Sequence, residues 1–284
     1  MANDDSRRKL KNSIEAAYPG AAIVFTDARM DVRQLAREAV QRGSTLIIAG
    51  GGDGTINAVT SAVAGTESVL GVLPLGTWNH FAKDLGIPVE LEAAIQTLVT
   101  GRVMAVDVGE VNGSVFVNNS ALGLYPEIVR QREKRQRLGA SKWLAASWAA
   151  ARALVRYRLL TIRVIAQGQQ LVRTTPIVFV GNNQYAIDGL GIGRRSRLDC
   201  GELCVYIPRH QGRLKLLWLT LRALLGQLHR DEDFDIVLSE ELSIQSRRRK
   251  VHVTLDGEVT RMSSPLHYRM RPGALHVIVP WPEK

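Results

Sequence analysis

The stretch IIAGGGDGTINAVTSAVAG, residues 47–65, decides the fold because it places a glycine-rich loop between an apolar run and a helical pattern. Glycine inside a regular element costs about 0.5–1 kcal/mol relative to alanine, so this density of glycine predicts a loop whose backbone approaches a ligand closely. Where a strand gives way to a helix, free N–H groups and the positive end of the helix dipole face the same point. The stretch therefore predicts an anion-binding site, with phosphate as the first candidate.

The sequence on both sides of this loop alternates between helical and strand patterns. Apolar residues repeat at helical spacing in three stretches, at 6–20, at 31–43 and around 56–63. Short apolar runs predict buried strands at AAIVF (21–25), STLIIAG (44–50) and SVLGVLPLG (68–76). The continuous run STLIIAG is typical of a parallel strand covered on both faces. The alternation predicts a doubly wound α/β domain, which binds ligands at the carboxyl ends of its strands.

The glycine-rich loop differs from the two common phosphate-binding fingerprints. It lacks the Lys-Ser or Lys-Thr pair of a Walker A loop, and Thr55 stands where the dinucleotide fingerprint needs its last glycine. Asp53 adds a carboxylate to the expected phosphate site, which is repulsive unless a cation such as Mg²⁺ lies between the two. The alternative is a glycine-rich turn in which Asp53 only caps the helix.

A second loop, LPLGTWNHFAKDLGIP (73–88), has a similar construction. Gly76 and Thr77 follow a predicted strand and precede a short helix that ends near Gly86. His80 is expected on the helix surface or in packing rather than in catalysis. Two strand-to-helix loops with adjacent glycine and threonine predict a nucleotide pocket.

Taken together, three motifs resemble the catalytic-domain family of diacylglycerol kinases, sphingosine kinases and bacterial lipid kinases. These motifs are GGGDGTINAV (50–59), the second loop, and TLDGEVT (254–260). The resemblance extends over nearly the whole chain, because four further stretches match the pattern of the bacterial members: VFVNNSALGLYPEIV (115–129), GNNQYAIDGLGIG (181–193), RLDCGELCVYI (197–207) and PLHYRMRPGALHVIVP (265–280). It implies an ATP-dependent lipid kinase of phospholipid metabolism that phosphorylates a hydroxyl of a diacylglycerol-like lipid.

The resemblance also implies an α/β plus all-β architecture in two domains. Residues 1–104 would form the α/β ATP-binding domain. Residues 105–284 would form a β-sandwich-like domain with the lipid cleft and the acidic catalytic motif, with the option that the C-terminal segment returns to the first domain. The sequence agrees, since short runs typical of antiparallel strands follow Ala105: SVFVNNS, TIRVIAQ, TPIVFVG, ELCVYI, FDIVLS and KVHVTL.

Matching the family's motifs onto this sequence identifies the expected site residues. The nucleotide contacts fall on Thr26, Gly52, Asp53, Gly54, Thr55, Ile56, Asn57, Ala58 and Thr77. Glu258 is the implied proton acceptor, Asp256 and Asp53 are the other implied catalytic acids, and Asp53 is the expected contact of Mg²⁺ that accompanies ATP. A lipid kinase needs a carboxylate that accepts the hydroxyl proton.

The spacing of the two acids in LDGE leaves their arrangement open. In a strand, Asp256 and Glu258 would point to the same face, whereas in a turn Gly257 would set the angle between them. The alternative to a catalytic role is a hairpin turn with solvated acids.

Three departures from the family pattern carry expectations of their own. The family opens with a strand and a phosphate-contacting loop, but this sequence opens with a helical pattern, so either the start lies upstream or the sheet and the ATP site lack one element. Ala58 stands where the family has glutamate, which removes a polar contact. Cys200 stands where a structural metal in the family has an acidic ligand, and a thiol is a poor ligand for Mg²⁺. We therefore expect that metal site to be empty or much weakened.

Basic residues are concentrated in one segment of the chain. The net charge is +10, and residues 130–173 alone carry eleven basic residues against Glu133. Such a segment predicts an anionic partner, and the helical stripe with Trp143 and Trp148 within it favours peripheral contact with an anionic membrane surface. The alternative is that this stripe packs on the sandwich and that the arginines are simply solvated. A second apolar stretch, 212–228, is expected to be a packed helix.

The remaining features limit the classes of protein. The N-terminus lacks the apolar region of a signal peptide and no stretch reaches about 18 uninterrupted apolar residues, so we expect a cytoplasmic protein, peripheral at the inner face of the membrane. Cys200 and Cys204 are expected to be free thiols. No nucleic-acid recognition motif appears. Two alternatives to a lipid kinase stay open: an NAD kinase-like enzyme, since GGDGT is shared with that group, and a catalytically silent lipid- or nucleotide-binding protein. The sequence leaves the oligomeric state open.

Overall fold

The computed structural model describes residues 4–27, 29–124, 159–188, 191–195, 197–209 and 233–282. The chain divides into two compact units, residues 1–106 with 273–284 and residues 107–272. This division lies two residues from the boundary expected at 104/105, and residues 273–284 belong to the first unit.

The first unit contains five helices and two complete strands in the part of the chain that the structure describes. The elements are α1 (Asp4–Ala17), α2 (Val32–Gln41), β1 (Leu46–Gly51), α3 (Asp53–Val63), β2 (Val69–Pro74), α4 (His80–Asp84) and α5 (Leu91–Thr100). Side chains start two of the helices: the Asp31 carboxylate accepts the Gln34 N–H at the start of α2, and the Glu90 carboxylate accepts two N–H groups at the start of α5.

The strands of the first unit are parallel. β1 pairs with β2, and β2 pairs in turn with the last part of β16 (Leu266–Val279), through Val69 and Leu70. The register places Gly51 opposite Pro74, so β1 and β2 end at the same edge of the sheet. Because the loops that follow them are the two singled out in the sequence, this register brings both predicted phosphate-binding loops to one edge.

Two predictions about the strands of this unit are wrong. AAIVF (21–25) forms no strand, and Val24 and Phe25 are 61% and 36% exposed. In β1, only Ala49 is fully buried, so the strand is only partly covered. Within the described residues β1 is the edge strand of its sheet. An apolar run becomes a strand only where a neighbour offers a hydrogen-bonded ladder, and the run itself does not reveal that neighbour.

The second unit is formed by β-strands in the residues that can be described. After β3 (Arg102–Val111), which enters it from the first unit, the strands are β4 (Ser114–Phe116), β5 (Asn119–Gly123), β6 (Leu160–Ala166), β7 (Gln169–Thr175), β8 (Ile177–Asn182), β9 (Tyr185–Asp188), β10 (Gly191–Arg195), β11 (Leu203–Pro208), β12 (Phe234–Ser239), β13 (Glu241–Ser246), β14 (Lys250–Leu255) and β15 (Glu258–Ser263).

Most of these strands form two antiparallel layers, and β9 and β10 pair in a separate two-stranded sheet. One layer has the order β12-β11-β8-β5-β14-β15, and the other joins the first part of β16 to β13, β6 and β7. Apolar side chains from both layers form a single buried cluster that includes Phe116, Leu122, Ile162, Val180 and Ile244. This arrangement confirms the predicted α/β plus β-sandwich-like architecture, and each antiparallel run singled out in the sequence contains a strand.

Several sequence predictions lie outside the described residues. They are the basic residues from Arg130 to Arg158, the stripe with Trp143 and Trp148, and the apolar stretch 212–228. In the described ranges, none of the helices combines the length and apolar character needed to span a membrane.

Candidate functional site

The glycine-rich loop begins where β1 ends and α3 starts. Gly52 is the N-cap of α3 and, having no side chain, leaves the first N–H groups of the helix without a side-chain cap. A Cβ at Gly51 would lie 2.6 Å from the Cβ of Thr55, so the Thr55 side chain occupies the space above Gly51. Glycine is therefore required at position 51 by local packing, and the start of α3 presents uncapped N–H groups that suit an anion.

The second loop contacts the glycine-rich loop directly. The Leu75 N–H donates to the Gly51 carbonyl at 3.0 Å. A Cβ at Gly76 would lie 2.4 Å from the Cα of Gly52, so any other residue at position 76 would push the two loops apart. The structure thus brings Gly52 and Gly76 together, and the nucleotide pocket expected between these loops stays a prediction.

Asn79 fixes the shape of this second loop and was missed in the sequence. Its carboxamide oxygen accepts the Gly76 N–H at 3.0 Å, and its amide donates to the carbonyls of Pro74 and Gly76 at 3.2 and 2.9 Å. The residue is buried and has a left-handed backbone with φ of 51°. Asparagine tolerates this conformation better than most residues. An asparagine three residues after Gly76 was therefore the signal in the sequence for a turn at this position.

Asp53 is the acidic group of this site. It is the first residue of α3, and its Oδ1 atom is buried without a hydrogen-bond partner among the described residues. A buried carboxylate oxygen without a partner is unfavourable unless a ligand completes its coordination. Hard divalent cations such as Mg²⁺ prefer oxygen ligands of this kind. The Asp53 carboxylate together with the uncapped helix start therefore fits a cation bound to a phosphate.

The other predicted nucleotide contacts lie in different environments. Thr77 is exposed in the second loop, and Ala58 is half-buried on α3. The Ile56 side chain is fully buried in the core and its N–H donates to the Gly52 carbonyl, so this residue supports the loop from below. Asn57 is also buried. Thr26 is exposed in the segment that was wrongly predicted to end a strand.

His80 lies at the start of the short helix α4, as predicted for a surface residue. It is exposed, and its ring is parallel to the Trp78 ring, with 6.0 Å between the ring centroids.

The LDGE motif of the second unit forms a two-residue hairpin turn. Leu255 at the end of β14 pairs with Glu258 at the start of β15, so Asp256 and Gly257 form the turn. Both turn residues have positive φ, 48° and 94°, as in a type I′ turn. Of the two arrangements left open by the sequence, the structure has the turn.

The partly buried Asp256 carboxylate holds the neighbouring β4–β5 connection. One oxygen accepts the Val117 N–H at 2.8 Å, and the other accepts the N–H groups of Asn118 and Asn119 at 2.8 and 2.9 Å. In return, the Asp256 N–H donates to the Asn119 carbonyl at 2.9 Å. These contacts make Asp256 an anchor of the turn, whereas the Glu258 side chain that follows is exposed.

Cys200 lies in an exposed turn before β11. Its N–H donates to the Asn183 side chain, and the next residue, Gly201, donates its N–H to the Asp107 carboxylate. Partial burial raises the pKa of the Cys200 thiol, and the carboxylates of Asp199 and Asp107 raise it further, against the effect of Arg197. The described part of the chain has no cluster of three or more His, Cys, Asp or Glu side chains placed for a metal. The expected weakness of a metal site at Cys200 stays a prediction.

Comparison with known proteins identifies relatives for both units. The family model of the diacylglycerol kinase catalytic domain matches residues 2–111, and that of the YegS C-terminal NAD kinase beta sandwich-like domain matches residues 126–279. A probable lipid kinase YegS-like from Pseudomonas syringae pv. syringae is 32% identical over 263 residues, 88% of this chain and 81% of that protein. A protein with the same description from Pseudomonas aeruginosa is 31% identical over 258 residues, 88% of this chain and 82% of that protein.

A solved structure supports the fold. The crystal structure of a diacylglycerol kinase from Bacillus anthracis has a TM-score of 0.74 and 23% identity, with 97% of this chain and 91% of that chain covered. The two family models together span most of the sequence, and the relatives are more than 30% identical over most of their length. The chain therefore belongs to the YegS-like family of lipid kinases, with the diacylglycerol kinase catalytic domain.

Proposed function

We propose that this protein is an ATP-dependent lipid kinase that transfers the γ-phosphoryl group of ATP to a hydroxyl of a diacylglycerol-like lipid. One observation carries the proposal: the glycine-rich loop contacts the second loop and holds, at the start of α3, the buried Oδ1 atom of Asp53, which has no hydrogen-bond partner among the residues that the structure describes. Membership of the YegS-like family supports the same assignment.

The nucleotide site that we propose is formed by the loops around Gly52 and Gly76. The uncapped N–H groups at the start of α3 would donate to phosphate oxygens, and the missing Cβ atoms let the backbone approach them. Asp53 would hold Mg²⁺, which neutralises charge on the phosphates when it is bound. Asn79 keeps the second loop in place by three hydrogen bonds.

The phosphoryl transfer that we propose needs one proton acceptor. The acceptor hydroxyl oxygen forms a bond to the γ-phosphorus, the bond from that phosphorus to the bridging oxygen breaks, and ADP leaves. Glu258 accepts the hydroxyl proton in this proposal, since it is exposed and directly follows the anchored turn. Asp256 has its two oxygens occupied by three backbone N–H groups, so we assign it a positioning role.

The lipid partner requires contact with a membrane surface. We propose that the basic segment 130–173 provides this contact at an anionic bilayer, supported by its eleven basic residues against one acidic residue. Sedimentation with anionic vesicles at low salt tests it. Changing Arg132, Arg135 and Arg137 together to Ala should weaken binding, and unaltered binding would exclude the segment as the membrane contact.

The proposed activity is tested by incubating the protein with Mg²⁺, ATP labelled at the γ-phosphate and a panel of acceptors. The panel contains diacylglycerol, a sphingoid base and NAD, so that the NAD kinase-like alternative is tested in parallel. We expect labelled lipid from the diacylglycerol arm and loss of this product in Asp53→Asn. Glu67→Gln is the matched control, because Glu67 is an exposed acid in the connection after α3. Label in no acceptor would favour the catalytically silent alternative.

A further inference from the structure

Arg195 is a buried cation in the second unit that the proposed reaction does not use directly. Its side chain is 5% exposed and lies over the Tyr185 ring, with 5.5 Å between the guanidinium carbon and the ring centroid. A charged residue is rarely buried to this extent unless its hydrogen-bonding groups are satisfied. The partners of Arg195 therefore indicate what the charge is for.

Two of these partners lie on the connection between β4 and β5, and the third is Asn182 at the end of β8. One guanidinium nitrogen donates to the Val117 carbonyl at 2.6 Å and to the Asn182 carbonyl at 3.1 Å, and the other donates to the Asn118 side-chain oxygen at 2.8 Å. The Val117 carbonyl also accepts the Asn182 side-chain amide at 2.9 Å. Arg195 thus binds the carbonyl side of this connection in two places.

The opposite side of the same connection binds Asp256. The N–H groups of Val117, Asn118 and Asn119 all donate to the Asp256 carboxylate. The short segment 117–119 therefore lies between a buried cation, which its acceptors contact, and a carboxylate, which its donors contact. In such a chain each hydrogen bond polarises the next, so the two charges reinforce each other through the backbone.

We propose that Arg195 is a positioning residue for Glu258, acting through segment 117–119 and the Asp256 turn. Arg195 fixes segment 117–119, this segment fixes the Asp256 carboxylate, and the two-residue turn fixes the first residue of β15, which is Glu258. The inference rests on the proposed function only for the role of Glu258; the network itself is independent of that role.

The first test measures the network without any assay of activity. Urea unfolding of the full chain is compared for the unaltered protein, Arg195→Lys, Asp256→Asn and the double variant. Lysine keeps the charge but cannot bind the Val117 carbonyl and the Asn118 side chain with a rigid fork. We expect non-additive losses, with the double variant more stable than the sum of the single effects predicts, because both changes act on segment 117–119. Additive losses would overturn the network.

The second test measures the positioning role in the kinase assay. At a temperature where all variants are folded, we expect Arg195→Lys to lower kcat by about 10-fold to 100-fold, as for a displaced catalytic group, with KM for ATP nearly unchanged. Arg197→Lys is the matched control, because Arg197 is an exposed arginine on the same stretch. In a Glu258→Gln background, Arg195→Lys should lower kcat no further, because the group that it positions is already gone.

The outcomes separate the two levels of the proposal. Arg195→Lys and Asp256→Asn could be non-additive in stability while Arg195→Lys still lowered kcat fully in the Glu258→Gln background. This result would overturn the positioning role of Arg195 and leave it a structural one. An unaltered chain that phosphorylates no lipid would overturn the proposed function, and the role for Glu258 with it, while the unfolding measurement would still decide the network.

Discussion

The two acidic motifs of this protein use aspartate in opposite ways. At the start of α3, Asp53 has a buried Oδ1 without a hydrogen-bond partner among the described residues. In the β14–β15 turn, the Asp256 carboxylate accepts three backbone N–H groups. Both residues precede a glycine in a short motif, so the sequence alone does not distinguish them. The difference supports our proposal that Asp53 is kept for a ligand, whereas Asp256 stabilises the backbone that carries Glu258.

The first prediction tests the ligand-binding side of this comparison and has the largest expected effect. Asp53→Asn should lower kcat by about 10³-fold or more, since both charge neutralisation and positioning of the phosphates would be lost. The unfolding free energy should change by less than about 1 kcal/mol, the size of the interaction between an acid and a helix start. Steady-state kinetics and urea unfolding provide both values. Near-normal turnover in this variant would exclude Asp53 as a cation ligand.

The second prediction concerns the residue that the Asp256 turn carries. Glu258→Gln should lower kcat by about 10²-fold to 10³-fold, because a general base of this kind contributes that much to the rate. The unfolding free energy should change by no more than about 0.5 kcal/mol, as is usual for an exposed side chain. Glu240→Gln, an exposed acid of the same unit, serves as the control. If Glu258→Gln kept most of the activity, another group would have to accept the proton.

The comparison also separates what sequence could predict from what it could not. The helical stretches at 6–20, 31–43 and around 56–63, the two strand-to-helix loops and the antiparallel runs follow from local spacing, and the structure has a helix, loop or strand in each of these places. The run AAIVF failed because a strand depends on a neighbouring strand, which no local pattern reveals.

Contacts between residues far apart in sequence were also out of reach. Asp256 meets the N–H of Asn118 from 138 residues away, and Arg195 meets the Asn118 side chain from 77 residues away. The sequence marked Asp256 as an acid beside glycine but not as an anchor. Of these anchoring residues, only Asn79 could be recognised from the local sequence, because its hydrogen-bond partners Pro74 and Gly76 lie within five residues.

The third prediction tests the structural side of the comparison. Asp256→Asn replaces one acceptor oxygen with an NH₂ group and removes the charge that three N–H groups contact. Leaving at least one buried N–H without an acceptor costs about 1–3 kcal/mol of unfolding free energy. Urea unfolding should detect this loss, and kcat should fall less than in Glu258→Gln. Unchanged stability would contradict the anchoring role.

The fourth prediction has the smallest effect and concerns Cys200. Burial and the nearby carboxylates raise the pKa of this thiol above its usual 9.0, so its thiolate fraction at pH 8 is lower than that of an ordinary thiol. Alkylation by iodoacetamide at pH 8 should therefore be slower than for an unperturbed thiol, and its rate should still rise with pH where that of an unperturbed thiol has levelled off. Cys200→Ser provides the background rate from Cys204, which is buried. Alkylation as fast as an unperturbed thiol at pH 8 would contradict the raised pKa.

The most direct test of the contrast between Asp53 and Asp256 is the change in Tm on adding ATP with Mg²⁺. A ligand that binds only the folded protein raises Tm, and the rise grows with the ratio of the ligand concentration to its Kd. The Tm of the unaltered protein should rise when ATP and Mg²⁺ are added. Asp53→Asn should have the same Tm as the unaltered protein without ligand and show little or no rise. Asp256→Asn should have a lower Tm without ligand and show the same rise as the unaltered protein. A full gain in Asp53→Asn, or a loss of the gain in Asp256→Asn at an unchanged starting Tm, would contradict the account.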